Sequence, residues 1–111
     1  MSLASEELSD RIRAHLGPHP AVAEQKMFGG RCFMLEGNML VGPTKDGGML
    51  VRVGKDGYAD ALTRPGARPM TMGGRTMSGF VEVTGDVLGD DEVLLDWIEL
   101  ARRFVGTLPA K

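Results

Sequence analysis

From Glu24 to Val53 apolar side chains tend to recur at every second position, and no other feature of the chain restricts its fold as tightly. A period of two sends successive side chains to opposite faces of an extended strand, whereas a helix needs a period of about 3.6. The clearest instance is Met49, Val51 and Val53 alternating with Leu50 and Arg52, which reads as a half-buried strand with Arg52 turned outward or into a site. Glu36-Gly37 stands between the runs Arg31–Leu35 and Asn38–Gly42 and reads as a tight hairpin turn. Lys45-Asp46-Gly47-Gly48 marks the next reversal. Turns this short join antiparallel neighbours, so the region reads as a meander of three strands.

Helical patterns flank the meander. Ser5 followed by Glu6-Glu7 suits a helix start, with Leu8, Ile12 and Leu16 on one stripe and Gly17-Pro18 and Pro20 as the stop. A short helix is expected from Asp56 to Thr63, carrying Tyr58, Ala61 and Leu62 and stopped by Arg64-Pro65-Gly66. A second hairpin follows: Arg68–Met72, a Gly73-Gly74 turn, then Arg75–Val83 with a bulge at Ser78-Gly79. Asp90 caps a closing helix with Leu94, Trp97, Ile98, Ala101 and Val105 on one face and Arg102 and Arg103 near its negative end. The order is α-β-β-β-α-β-β-α. Such a chain builds a two-layer α+β domain, an antiparallel sheet of about five strands with amphipathic helices over one face. Residues 1–111 form one such domain, with no repeat and no linker.

Within the first strand, Lys26-Met27-Phe28-Gly29-Gly30 admits three readings. A phosphate-binding loop needs a longer glycine pattern with a helix directly behind it, and here the following residues are strand-like. A two-residue hairpin would leave Glu24–Phe28 as a strand needing its own partner. A bend inside one long strand, permitted by glycine's missing Cβ, is the expectation.

Candidate chemistry is sparse. The net charge is −2, which argues against binding nucleic acid through bulk electrostatics. It is unevenly spread: residues 24–77 hold eight basic against five acidic side chains, and residues 78–111 three against seven. The single cysteine, Cys32, cannot form an internal disulfide and suits a reducing cytoplasm. It sits in an apolar strand with no base beside it and reads as a buried, inert thiol. His15 and His19 are separated by Gly17-Pro18 and cannot share a helical face, so no metal site is expected. Asp86, Asp90, Asp91 and Glu92 read as helix N-terminal acids. The methionines cluster in or beside strands (Met27, Met34, Met39, Met49, Met70, Met72, Met77) and read as core filling. Arg31, Arg52, Arg68 and Arg75 could gather on the sheet face opposite the helices, where Arg31, Arg52 and Arg75 become candidate ligand or partner contacts. The N-terminus MSLASEELSD has no signal-peptide pattern, and no apolar run approaches the ~18 residues of a membrane span.

Lys26, Met27, Phe28, Gly29 and Gly30, followed by an apolar strand and an acidic-Gly turn, resemble the N-terminal domain of the TfoX/Sxy family. The resemblance extends from about Glu6 to Phe104 through the strand Met49–Val53, the stop at Arg64-Pro65-Gly66, the hairpin Pro69-Met70-Thr71-Met72-Gly73-Gly74-Arg75 and the tail Trp97–Ala101. It implies a sheet with helices like that of secretion-chaperone domains. The founding members regulate natural DNA uptake, acting with the cyclic-AMP receptor protein at competence promoters, and carry a second, C-terminal helical domain. This sequence ends at Lys111 without one, so a stand-alone N-terminal domain is expected, with the promoter role in question. The functional expectation is a non-catalytic, regulatory protein-interaction domain in the cytoplasm. It needs no cofactor or metal, has a protein partner, leaves a homodimer open, and does not bind specific DNA or membrane directly. The alternative is a small ligand-binding or enzymatic domain with an arginine-lined pocket.

Overall fold

The computed structural model describes residues 3–17, 21–27, 30–44, 47–72 and 74–109. In chain order the elements are α1 (Leu3–Leu16), β1 (Val22–Met27), β2 (Gly30–Leu35), β3 (Asn38–Pro43), β4 (Met49–Arg52), α2 (Gly54–Leu62), β5 (Ala67–Met72), β6 (Arg75–Val83), α3 (Gly85–Leu88) and α4 (Asp91–Val105). Among the described residues six strands form one sheet, ordered β1-β2-β3-β4-β6-β5, with every neighbouring pair antiparallel. The α+β class and the antiparallel meander are as the periodicity implies. The strand count is six, where the sequence suggested about five.

The extra strand comes from the opening of the meander. Met27 pairs with Gly30 and Lys26 with Arg31, so the chain reverses between Met27 and Gly30 instead of bending within one strand. The partner that a separate first strand needs is β2 itself, along six residue pairs from Val22↔Leu35 to Met27↔Gly30. Phe28 and Gly29 lie outside the described residues. The next reversal is as expected: Glu36 and Gly37 both have positive φ, 51° and 84°, the pattern of the mirror-image turn that matches the twist of a hairpin.

The main core lies between the sheet and the helices. Phe33, Leu40, Val41, Met49, Val51, Val81 and Val83 meet Leu8 and Ile12 of α1, Ala61 of α2, Leu88 of α3, and Leu94, Trp97, Ile98, Ala101 and Val105 of α4. The closing helix is capped as expected, the Glu92 N–H donating to Asp90 Oδ1 at 2.9 Å. Two details depart from the sequence reading. Helix α1 is already helical at Leu3, upstream of the cap expected at Ser5, and the short α3 precedes α4. Four residues are too few to display a helical period.

The opposite sheet face carries a second, smaller cluster: Cys32, Met34, Met39, Leu50 and Met70, with Phe80 packed against them. Methionine therefore fills both faces, while Met77 is 36% exposed. Strand β6 slips against β5 where the bulge was expected. Pro69 faces Val81, but Thr71 faces Thr76, leaving Met77 to Phe80 opposite Met70 alone.

Candidate interaction surfaces

Among the described residues, the free edge of β1 and a cleft at the end of β4 present polar groups that no internal partner is seen to take up. At the edge, the Glu36 N–H donates to the Ala21 carbonyl at 2.8 Å. Antiparallel bonding alternates along a strand, so Ala23 and Gln25 bond to β2, and the N–H and C=O of Val22, Glu24 and Lys26 turn away from the sheet. Residues Ala23 to Lys26 are exposed. The far edge, β5, is different: it carries Pro69, which has no N–H to offer, beside the register slip.

The Glu24 carboxylate is held from two sides. Arg13 of α1 donates Nε to Oε2 and Nη2 to Oε1, both at 2.8 Å, while Arg31 Nη1 approaches Oε1 at 3.3 Å. Arg13 also donates to Asp10 at 2.7 Å and lies 6.0 Å from the centre of the Phe33 ring. The hydrogen bonds from Arg13 are the main reason the Glu24 carboxyl titrates below its ordinary value. The same two acids, Glu24 first, push the Arg13 guanidinium further up. The groove here, about 180 Å³ and lined by Glu6, Ser9, Asp10, Arg13 and Arg31, is filled with mutually compensating charges.

At the end of β4, Arg52 lies over two aromatic rings, 5.5 Å from the centre of Phe80 and 5.8 Å from that of Phe104. Among the described residues it has no ion pair. A cleft of about 320 Å³ opens beside it, lined also by Gly54, Lys55, Asp56, Ser78 and Gly79. Two glycines make the cleft. Gly54 has φ +81° and supports the Phe104 ring where a Cβ would stand. Gly79, φ +89°, lies against the Gly54 backbone, and its carbonyl accepts from the Val53 N–H at 2.8 Å. Side chains at either position would be strained and would fill the space.

The expected gathering of arginines does not occur. Arg31 shares the helix-covered face with Phe33, whereas Arg52 follows Leu50 on the opposite face, two strands away. Arg75 is exposed beside the β5–β6 reversal, and Arg68 pairs with Glu82 at 3.1 Å. Of the candidate contacts only Arg52 lines the larger cleft. The sequence reading missed Arg13 and Glu24 as a pair, and it missed Phe80 and Phe104 as the supports of Arg52. Cys32 is 2% exposed, and a Cβ on Gly42 of β3 would come within 2.9 Å of its Sγ. Burial pushes its thiol pKa up. His15 lies in the last turn of α1, 4.0 Å from Asp91, and His19 lies outside the described residues. No group of three metal-ligating side chains occurs among the described residues.

A sequence model of the TfoX N-terminal domain matches residues 14–105, most of the chain. The chain belongs to the TfoX N-terminal domain family. No curated protein and no solved structure matches it. Within this TfoX N-terminal domain, the run that carries the resemblance sits on the edge hairpin: Lys26 and Met27 end β1 and Gly30 opens β2. No helix of the described residues is long and apolar enough to cross a membrane.

Proposed function

We propose that this TfoX N-terminal domain works without catalysis, as a regulatory module that binds protein through the β1 edge of its sheet. The observation that carries the reading is the outward-turned, unpartnered backbone of Val22, Glu24 and Lys26 on an exposed edge strand, while the other edge is blunted by Pro69. An open edge is a template for strand addition, in which backbone hydrogen bonds supply affinity and neighbouring side chains supply selectivity. Membership of the TfoX family supports the competence-regulator setting. The test uses Lys26→Pro, which removes an outward N–H while leaving the β1–β2 bonds of Gln25 and Ala23 in place. Immobilised wild-type domain should retain a protein that Lys26→Pro loses and Arg75→Ala keeps. Equal retention by all three would refute the edge as the binding surface.

A second reading is favoured by Arg52 itself. A guanidinium held over two phenyl rings, with no ion pair among the described residues, beside a cleft of about 320 Å³, suits a small organic carboxylate with an apolar body. Lys55 adds charge and Asp56 on the rim offsets part of it. Benzoate titrated against the labelled protein should shift the amide resonances of Gly54, Gly79 and Phe104 in a saturable way, and Arg52→Gln should abolish the shifts. Unchanged spectra, or binding indifferent to Arg52→Gln, would remove this reading.

A further inference from the structure

The charges on the exposed edge strand β1 bear on what it pairs with. The reading rests on β1 being a protein-binding edge, and it names the occupant: we infer that two copies of this chain join β1 to β1 antiparallel about a two-fold axis at Gln25. In that register Glu24 of one copy stands opposite Lys26 of the other, twice, because the sequence Glu24-Gln25-Lys26 places unlike charges symmetrically about its centre.

Backbone and side chains agree on this register. Glu24 and Lys26 are the residues whose N–H and C=O turn outward, so each Glu24–Lys26 pair exchanges two hydrogen bonds, and Gln25 faces Gln25 in the non-bonded pair between them. In β1, Glu24 aligns with Phe33 and Lys26 with Arg31, so both side chains share the helix-covered face and meet across the axis. Shifting the axis to Glu24 sets the two glutamates opposite each other, and shifting it to Lys26 sets the two lysines so, each a destabilising arrangement. Glu24 is already fixed by Arg13 and Arg31, whereas Lys26 has no ion pair among the described residues. The backbone bonds supply attachment, and the charges select the register. The joined sheet would run continuously through both copies, and the exposed β1 edge would vanish from each, as closed two-fold assemblies require. Six residues make a small contact, so the association belongs to the weak, concentration-dependent class.

Sedimentation velocity of the full chain, from micromolar to millimolar concentration, reads the association directly. The wild-type protein should shift from monomer to dimer across that range. Lys26→Glu leaves the Arg13–Glu24 contact intact but sets carboxylates opposite carboxylates, and should raise the dimer dissociation constant at least about tenfold. The double variant Glu24→Lys/Lys26→Glu should regain the dimer, and Lys26→Glu mixed with Glu24→Lys should form heterodimers more readily than either forms homodimers. Circular dichroism and the melting temperature of each variant confirm that it folds. A wild-type chain that stays monomeric at millimolar concentration overturns the self-pairing, as does a dimer indifferent to Lys26→Glu. If that monomer still captures another protein in a manner lost with Lys26→Pro, the edge reading survives and only the second copy as its occupant is refuted.

Discussion

Cys32 and Arg52 are residues of two kinds, the first set by burial and the second by contact with a distant neighbour. Cys32 belongs to the first kind: its place in an apolar strand already implies an inert thiol, and the structure buries it beneath Gly42. The native protein should react slowly with a thiol reagent at neutral pH and quickly in denaturant. Equal rates in both states would contradict the burial. The same residue fixes a sign for pH dependence. Its folded pKa is raised, so its contribution to stability is full below the pKa of the unfolded thiol. It is lost as pH rises from there through the folded value, because only the unfolded chain then ionises freely. Replacing Cys32 with Ser should flatten the alkaline limb of a stability–pH curve. Arg52 belongs to the second kind. Its alternation in β4 shows that it leaves the core, but Phe104 lies more than fifty residues on, at the end of α4, so nothing local announces that the two will meet.

At the scale of elements, long periodic segments reveal themselves and short or polar ones do not. Helix α4 shows its five core residues at helical spacing, and all five are buried. Trp97, 1% exposed, anchors them against the sheet beneath the Arg64 guanidinium. Trp97→Ala should cost roughly 3–5 kcal/mol in a denaturant titration, from lost burial and the cavity left behind. A fluorescence maximum like that of indole in water would argue against this placement before any mutant is made. Strand β1 merges with β2 in the sequence reading for a physical reason: with Glu24, Gln25 and Lys26 all exposed it shows little alternation of its own, and its partner is the strand that follows it. The β2–β3 reversal is the opposite case, because Glu36-Gly37 carries a turn signal and adopts the turn it signals. Glu36 sits at φ 51°, a region costly for most side chains and easier for asparagine. Glu36→Asn should therefore raise stability by about 0.5–1 kcal/mol, measured by the midpoint of urea unfolding. A fall in the midpoint would show that the glutamate makes a compensating interaction.

For the whole molecule the question is whether a member of a family linked to competence promoters reads DNA itself. The charge distribution leads us to expect that it does not. The middle of the chain has an excess of only three basic residues, and two of its arginines are taken up by internal pairs: Arg31 with Glu24 and Arg68 with Glu82. Outside that segment Arg11 pairs with Asp91, Arg13 with Asp10 and Glu24, and Arg102 with Glu99. Arginine locked to a carboxylate must break that contact before it can neutralise a phosphate. The longer helices do not help, since α1 carries Glu6 and α4 carries Asp91 and Glu92 in their first turns, where a recognition helix makes its base contacts. Non-specific duplex binding by dedicated proteins has dissociation constants of ~10⁻⁴–10⁻⁶ M at physiological salt, and this domain should bind more weakly than that. Fluorescence anisotropy against duplex DNA in about 0.15 M salt, where charges beyond ~8 Å are screened, is the measurement. Saturable binding below micromolar, with preference for one sequence, would make the domain a DNA reader. A flat titration leaves the β1 edge, and a protein bound there, as the route by which such a domain would act at a promoter.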